Sequence, residues 1–169
     1  MSDVLLNSYR YSKPIQEFSN TPNAVGTQNF SYDQWKAERV ASSSSVLLGI
    51  TITEVQMYLY RTGTNSDATI TMAQAKTDGT ILHTFWTKSF NSLPTSDYTL
   101  TTETCIPSTI PLTDEMSIGT WYTTTGSTSG TLHHNYDNSN SFDGNYSTYA
   151  GSFSGSATWA DKGFEMKGY

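Results

Sequence analysis

The chain has 169 residues and a formal net charge of −6, with 36% hydrophobic and 14% charged side chains. At roughly 150 residues per domain that is one domain, and a chain of this size buries about 70% of its unfolded surface, enough for a real core. No apolar run approaches the ~18 residues of a membrane-spanning helix, and no basic stripe marks a nucleic-acid partner.

Serine (23) and threonine (27) make up 50 of the residues, beside 11 Tyr, 7 Phe and 4 Trp. Hydroxyl, β-branched and aromatic side chains at this density suit pleated, half-buried surfaces rather than helices. The charge is uneven. Between Ser89 and Ala160 there is no Lys or Arg, against Asp97, Glu103, Asp114, Glu115, Asp137 and Asp143. Such a stretch reads as a solvated surface, or as a face that meets sugars, a cation or a basic partner. The opening Met1 to Asn7 lacks a basic segment followed by an apolar one, so no signal peptide is expected. Cys105, the single cysteine, lies among Thr104 and Ile106 with no basic neighbour, as a small buried hydrophobe would rather than a reactive thiol.

Residues 1–30 are irregular, punctuated by Pro14, Pro22 and Gly26. They are expected to form an extended N-terminal arm whose Tyr9, Tyr11, Ile15 and Phe18 add backbone and apolar contacts to a neighbouring chain. Residues 33–40 suit one helical turn or a first strand. From Val46 the period becomes two: Ile50 and Ile52 share a face, and Val55, Met57 and Leu59 continue on the opposite parity with Tyr58 and Tyr60 outward. The parity change between Thr53 and Glu54 predicts a β-bulge or a break. A turn cluster at Arg61–Asn65 ends the strand. Ala68, Ile70 and Met72 begin the next, and Asp78-Gly79 turns it into a strand from Ile81 to Lys88. Residues 98–105 and 112–123 predict two more strands, with breaks marked by Pro94 before the first and by Pro107 and Pro111 between the two. Residues 124–158 predict one or two short strands carrying long loops, and Phe164 with Met166 a last strand. Seven or eight short strands separated by turn signals point to an all-β antiparallel sandwich over residues 31–169.

The stretch Val55-Gln-Met-Tyr-Leu-Tyr-Arg-Thr-Gly63 resembles the V-x-V-Y-L-Y-K-T-G strand of a jelly-roll module. The same module has counterparts of Asp78-Gly79, of Ser92-Leu-Pro-Thr-Ser96, of Leu112-Thr-Asp114, and of Trp159, Asp161 and Phe164-Glu-Met-Lys-Gly168. The resemblance spans about residues 40–169. It implies a jelly-roll β-sandwich similar to carbohydrate-binding modules, of a kind found in microbial surface proteins and phage virions. Where the module has Gly then Tyr, this chain has Glu115 then Met116. With its own N-terminal arm and no repeats, the chain is expected to be a non-enzymatic virion subunit, such as a capsid decoration, head-fibre or tail-associated protein. Such a subunit is made in the host cytoplasm and assembles with itself as a homo-oligomer and with other virion proteins. The alternative is an extracellular, free-standing carbohydrate-binding module. Fold alone does not decide between them.

Residues 124–158 and the nearby Trp159 are where binding is expected. Tyr136, Tyr146, Tyr149 and Trp159 lie among Asn138, Asn140 and Asp143, pairing aromatic faces for sugar C–H groups with amides and a carboxylate for hydroxyls. The same rings suit a protein contact or the sandwich core. Asp137 and Asp143 bracket an oxygen-rich stretch that suits Ca²⁺ or an Asx-rich turn. It lacks the bidentate Glu of a twelve-residue calcium loop. Adjacent His133 and His134 face opposite sides of a strand and cannot share a metal, so no zinc site is expected. No nucleophile elbow, phosphate loop or dinucleotide fingerprint occurs, and no catalytic residue is assigned.

Overall fold

A computed structural model describes residues 13–20, 26–30, 34–40, 45–76, 78–96, 99–114, 116–126, 129–137, 145–149, 153–157, 161–162 and 164–169. Its strands, in chain order, are β1 (Gln16–Asn20), β2 (Gly26–Phe30), β3 (Gln34–Arg39), β4 (Ile52–Thr62), β5 (Ala68–Lys76), β6 (Ile81–Ser89), β7 (Leu100–Thr101), β8 (Met116–Thr124), β9 (Thr131–Asp137), β10 (Asn145–Tyr149), β11 (Phe153–Ala157), β12 (Asp161–Lys162) and β13 (Phe164–Gly168). They form two antiparallel sheets. One runs β1-β13-β4-β9-β12, with β2 paired to β9 and β7 to β4; the other runs β11-β10-β3-β8-β5-β6. The chain is all-β, as its composition implies.

The two sheets bury a common core. Val55, Met57 and Leu59 of β4 alternate inward to meet Ile70 and Met72 of β5, Phe85 and Trp86 of β6, and Ile118 and Tyr122 of β8. Each fully buried aliphatic or aromatic side chain of this kind contributes about 1.5–3 kcal/mol. Trp86 brings a polar N–H into this core and donates it to the Val55 carbonyl at 2.9 Å, so the indole is buried without a desolvation penalty.

β4 is one continuous strand with an extra residue. Lys167 pairs with Glu54 but Gly168 with Ile52, leaving Thr53 unpaired opposite that step. This bulge is the physical origin of the parity change at Thr53–Glu54, and it lets Ile52 and Val55 both point into the core. The Asp78-Gly79 turn is also as expected. Gly79 has φ +85°, and the Thr80 N–H donates to Asp78 Oδ1 at 2.9 Å, which holds that carboxyl below its ordinary value.

Two expectations about strands change. Of the strand expected over residues 98–105, the described part, 99–105, retains only the two-residue β7, because the Gln56 side chain stands in for a neighbouring peptide. Its Nε2 donates to the Glu103 carbonyl at 2.7 Å and its Oε1 accepts the Glu103 N–H at 2.8 Å. The following segment closes the gap between the sheets. Ile106 N–H donates to Phe85 O (2.9 Å), Ser108 N–H to Ile52 O (2.9 Å) and Leu112 N–H to Ile50 O (2.9 Å). Pro107 and Pro111 fit here because the segment belongs to no continuous ladder. Lys88 and Glu103 form an ion pair beside it.

The second change concerns the N-terminal thirty residues. Gln16–Asn20 pairs along its whole length with β13 of the same chain, and Gly26–Phe30 with β9. Phe18 lies opposite Met166 and packs half-buried against the chain's own core rather than standing free. Ile15, just before β1, is 64% exposed. Tyr9 and Tyr11 lie outside the described residues.

A second apolar cluster lies on the outer face of the six-stranded sheet, where Trp35, Ala37, Ala73 and Ala75 are buried and Trp121 packs against them. Trp35 Nε1 donates to Ser117 Oγ at 3.3 Å. The small residues let an indole lie close to the backbone.

Candidate functional site

Because Val55, Met57 and Leu59 point inward, Gln56, Tyr58, Tyr60 and Thr62 line the outer face of β4. Strand register then brings neighbours to them. His133 lies opposite Tyr60, and the two rings stack with centroids 4.5 Å apart and planes within 10°. His133 Nε2 is 3.0 Å from Thr62 Oγ1. Burial holds this imidazole below its ordinary pKa. On the other side Glu165 lies opposite Gln56 and Lys167 opposite Glu54. Tyr58 Oη donates to Glu165 Oε1 at 3.0 Å, fixing the phenol ring against β13. Lys167 is paired to Glu54 at 3.0 Å. That hydrogen bond and charge, with Glu17 and Glu165 adding, raise the ammonium above its ordinary pKa.

β1 completes the face by placing Glu17 opposite Lys167 and Ser19 opposite Glu165. The result is a groove of about 330 Å³ lined by Glu17, Phe18, Ser19, Glu54, Gln56, Glu165, Met166 and Lys167. Three carboxylates face one ammonium there, and that ammonium is already engaged. The groove is rich in hydrogen-bond acceptors and has an aromatic row, Tyr58 then Tyr60 with His133, at its β4 side. Its signal in the sequence is the period-two run Glu54, Gln56, Tyr58, Tyr60, combined with Glu165 and Lys167 at the end of the chain. Only the strand pairing connects them.

The residues expected to bind are distributed differently. Tyr136 is in β9 of the seven-stranded sheet, at a position that pairs with Gly26 and Lys162. Tyr146 and Tyr149 are in β10 of the other sheet, paired to Glu38 and Trp35. Asn138, Asn140, Asp143 and Trp159 lie outside the described residues. Asp137 is the last residue of β9, opposite Asp161. Among the described residues no three His, Cys, Asp or Glu side chains converge as a metal site. His134 is buried on the core side while His133 faces out, so the adjacent imidazoles do point apart. Cys105 is half-buried, its thiol pushed up by burial and by the charges of Glu54 and Glu103 despite a hydrogen bond at Val55.

The two ends of the sandwich differ in chemistry. Among the described residues the exposed large hydrophobic side chains are Ile15, Val46, Leu48, Ile81, Ile106 and Tyr169. Ile15 precedes β1, whose Gln16 meets Gly168, and Tyr169 exchanges backbone hydrogen bonds with Thr51. Val46 and Leu48 form the turn before β4, and Gly49 donates to Leu112. Ile81 opens β6, and the Ile106 carbonyl is 2.7 Å from His83 Nε2. Five of the six lie towards the end where β1, β4 and β6 begin, and Ile106 sits beside Phe85, midway along β6. At the opposite end the described exposed residues are hydroxyl, amide, carboxylate or glycine residues, among them Thr64, Ser66, Asp67, Asn91 and Ser129.

No protein-family model, curated protein or solved structure matches the chain.

Proposed function

We propose that this chain is a non-enzymatic structural subunit of a virion, seated by one end of a jelly-roll sandwich and displaying the other. It would be a capsid decoration, head-fibre or tail-associated protein, as its sequence resemblance implies. The observation that carries the seating is the gathering of exposed Ile15, Val46, Leu48, Ile81 and Tyr169 towards one end. We read these large apolar side chains, left in water towards one pole, as part of a surface that another protein covers. The chain also enters β1 at that pole, through Lys13–Ile15. A second copy of the chain is the first partner in this reading, and other virion proteins the next. The polar pole, with its hydroxyls and amides, is the free end.

Light scattering on the full chain and on a Val46→Asp, Leu48→Asp variant tests the seating. An oligomer that falls to monomer, with an unchanged circular dichroism spectrum, supports it. Monomers in both cases overturn self-assembly through this end.

The second reading, a carbohydrate-binding module acting as a monomer, is favoured by the groove beside Tyr58. A monomer retained on a polysaccharide column would give that reading precedence.

A further inference from the structure

We infer that the groove across β1, β13 and β4, with the aromatic row beside it, is a binding site for an amine-bearing saccharide. The inference rests on the glycan-contact part of the proposed function and moves that contact from the 136–159 region to the outer face of the seven-stranded sheet.

Size comes first. A cavity of about 330 Å³ is at the lower end of the range for small-ligand sites, about 300–1,000 Å³. It holds one or two sugar rings. Rigidity is second. Tyr58 is anchored to Glu165 and Gln56 is held at both ends of its amide by Glu103. The wall therefore pays little ordering entropy when a ligand arrives. Tyr60 and His133 extend the row by stacking, and such rings offer flat apolar surface to sugar C–H faces.

Charge selects the ligand class. Glu54 is paired with Lys167, and Glu17 and Glu165 line the same groove and share that single ammonium, the one cation among its described lining residues. Carboxylates only accept hydrogen bonds, so the ligand must donate, through hydroxyls and preferably through an ammonium. An ammonium beside these carboxylates is attracted more strongly in a partly enclosed groove than in open water, and an acidic sugar is repelled for the same reason. The groove therefore prefers an amino sugar over a neutral one and rejects a uronic or sialic acid.

Titration calorimetry at low salt tests this with chitosan hexamer, a neutral gluco-oligosaccharide of equal length, oligogalacturonate and hexalysine. The expected result is binding of chitosan hexamer, weaker binding of the neutral hexamer and none of the acidic one. Glu165→Gln and Tyr58→Phe should each weaken chitosan binding tenfold or more, while Asp67→Asn, at the far pole, leaves it unchanged. Equal loss in Asp67→Asn would mean diffuse attraction to a chain of net charge −6 and overturn the site. Hexalysine binding as tightly as chitosan would make the groove a basic-peptide site and overturn the saccharide. Neutral-glycan binding abolished by Tyr146→Ala or Tyr149→Ala, but not by the groove variants, would overturn the groove and leave the glycan reading standing. No saccharide binding at all would overturn both.

Discussion

Replacing Ser108 by alanine removes one buried oxygen from the place where the segment between β7 and β8 is fastened to the core. Ser108 is 2% exposed and Gln74 fully buried. Ser108 Oγ donates to Gln74 Oε1 at 2.9 Å and accepts the Ile110 N–H at 3.1 Å. Gln74 Nε2 in turn donates to the Ile110 carbonyl at 3.2 Å. Without the hydroxyl, Gln74 Oε1 is left with an unmet acceptor in the interior, which costs about 1–3 kcal/mol. Ile110 is half-buried, and its N–H recovers water, so a total near ~2 kcal/mol is expected. That is roughly a thirtyfold change in the folding constant. With a urea m-value of about 2 kcal/mol/M, within the usual range, the unfolding midpoint should fall by about 1 M at constant m. Gln74→Met removes the acceptor in an apolar shape of similar length. Ser108→Ala should therefore cost clearly less in the Gln74→Met background than alone, the sign of a coupled pair. The neighbouring Thr109→Ala, at an exposed position, should stay within about 0.5 kcal/mol. A Ser108→Ala midpoint indistinguishable from that of the parent, or full additivity with Gln74→Met, would refute the reasoning.

Gly168→Ala places a Cβ 2.5 Å from Ile50 Cγ2 and 2.7 Å from the Thr51 carbonyl oxygen. The side chain can yield but the backbone cannot, so a loss of about 1–3 kcal/mol is expected. At roughly 2–4 °C per kcal/mol for a chain of this size, a thermal melt should fall by several degrees; an unchanged melt would show that the strand end gives way freely. His133 should make stability depend on pH. Its pKa is lowered by burial in the folded chain, so the unfolded chain takes up a proton first as pH falls below about 6.5. The contribution is whole above that pH and is lost as pH drops through the lowered native value. Urea midpoints measured at pH 7 and pH 5 should differ more for the parent than for His133→Gln. Equal differences would exclude His133 as a source of the pH dependence.

Much of the fold is written in local pattern. Alternation at Val55, Met57 and Leu59 belongs to any strand with one buried face, and the phase change at Thr53 reports the bulge because one extra residue swaps faces. Asp78-Gly79 needs no distant partner to turn. Residues 98–105 were harder to read, since a side-chain amide, Gln56, replaces the ladder that their pattern predicts. The groove was hidden for a related reason. Glu17, Glu54 and Glu165 are far apart in sequence, and each alone looks like an ordinary solvated carboxylate. The alanines at 37, 73 and 75 are too small to announce a buried face, yet they form the cluster in which Trp35 is buried.

By itself the sequence determined the all-β character, the inward and outward faces of β4 and β5, and several of the turns. These follow from side-chain alternation and backbone freedom, which act over a few residues. The tertiary structure alone decided that Gln16–Asn20 and Gly26–Phe30 pair with β13 and β9 of their own chain. It also decided that Tyr58 is fixed by Glu165 and that most of the exposed apolar side chains gather towards one pole. Those outcomes depend on which strand edges meet, and strand pairing is set by the packing of the whole core rather than by any stretch of the chain.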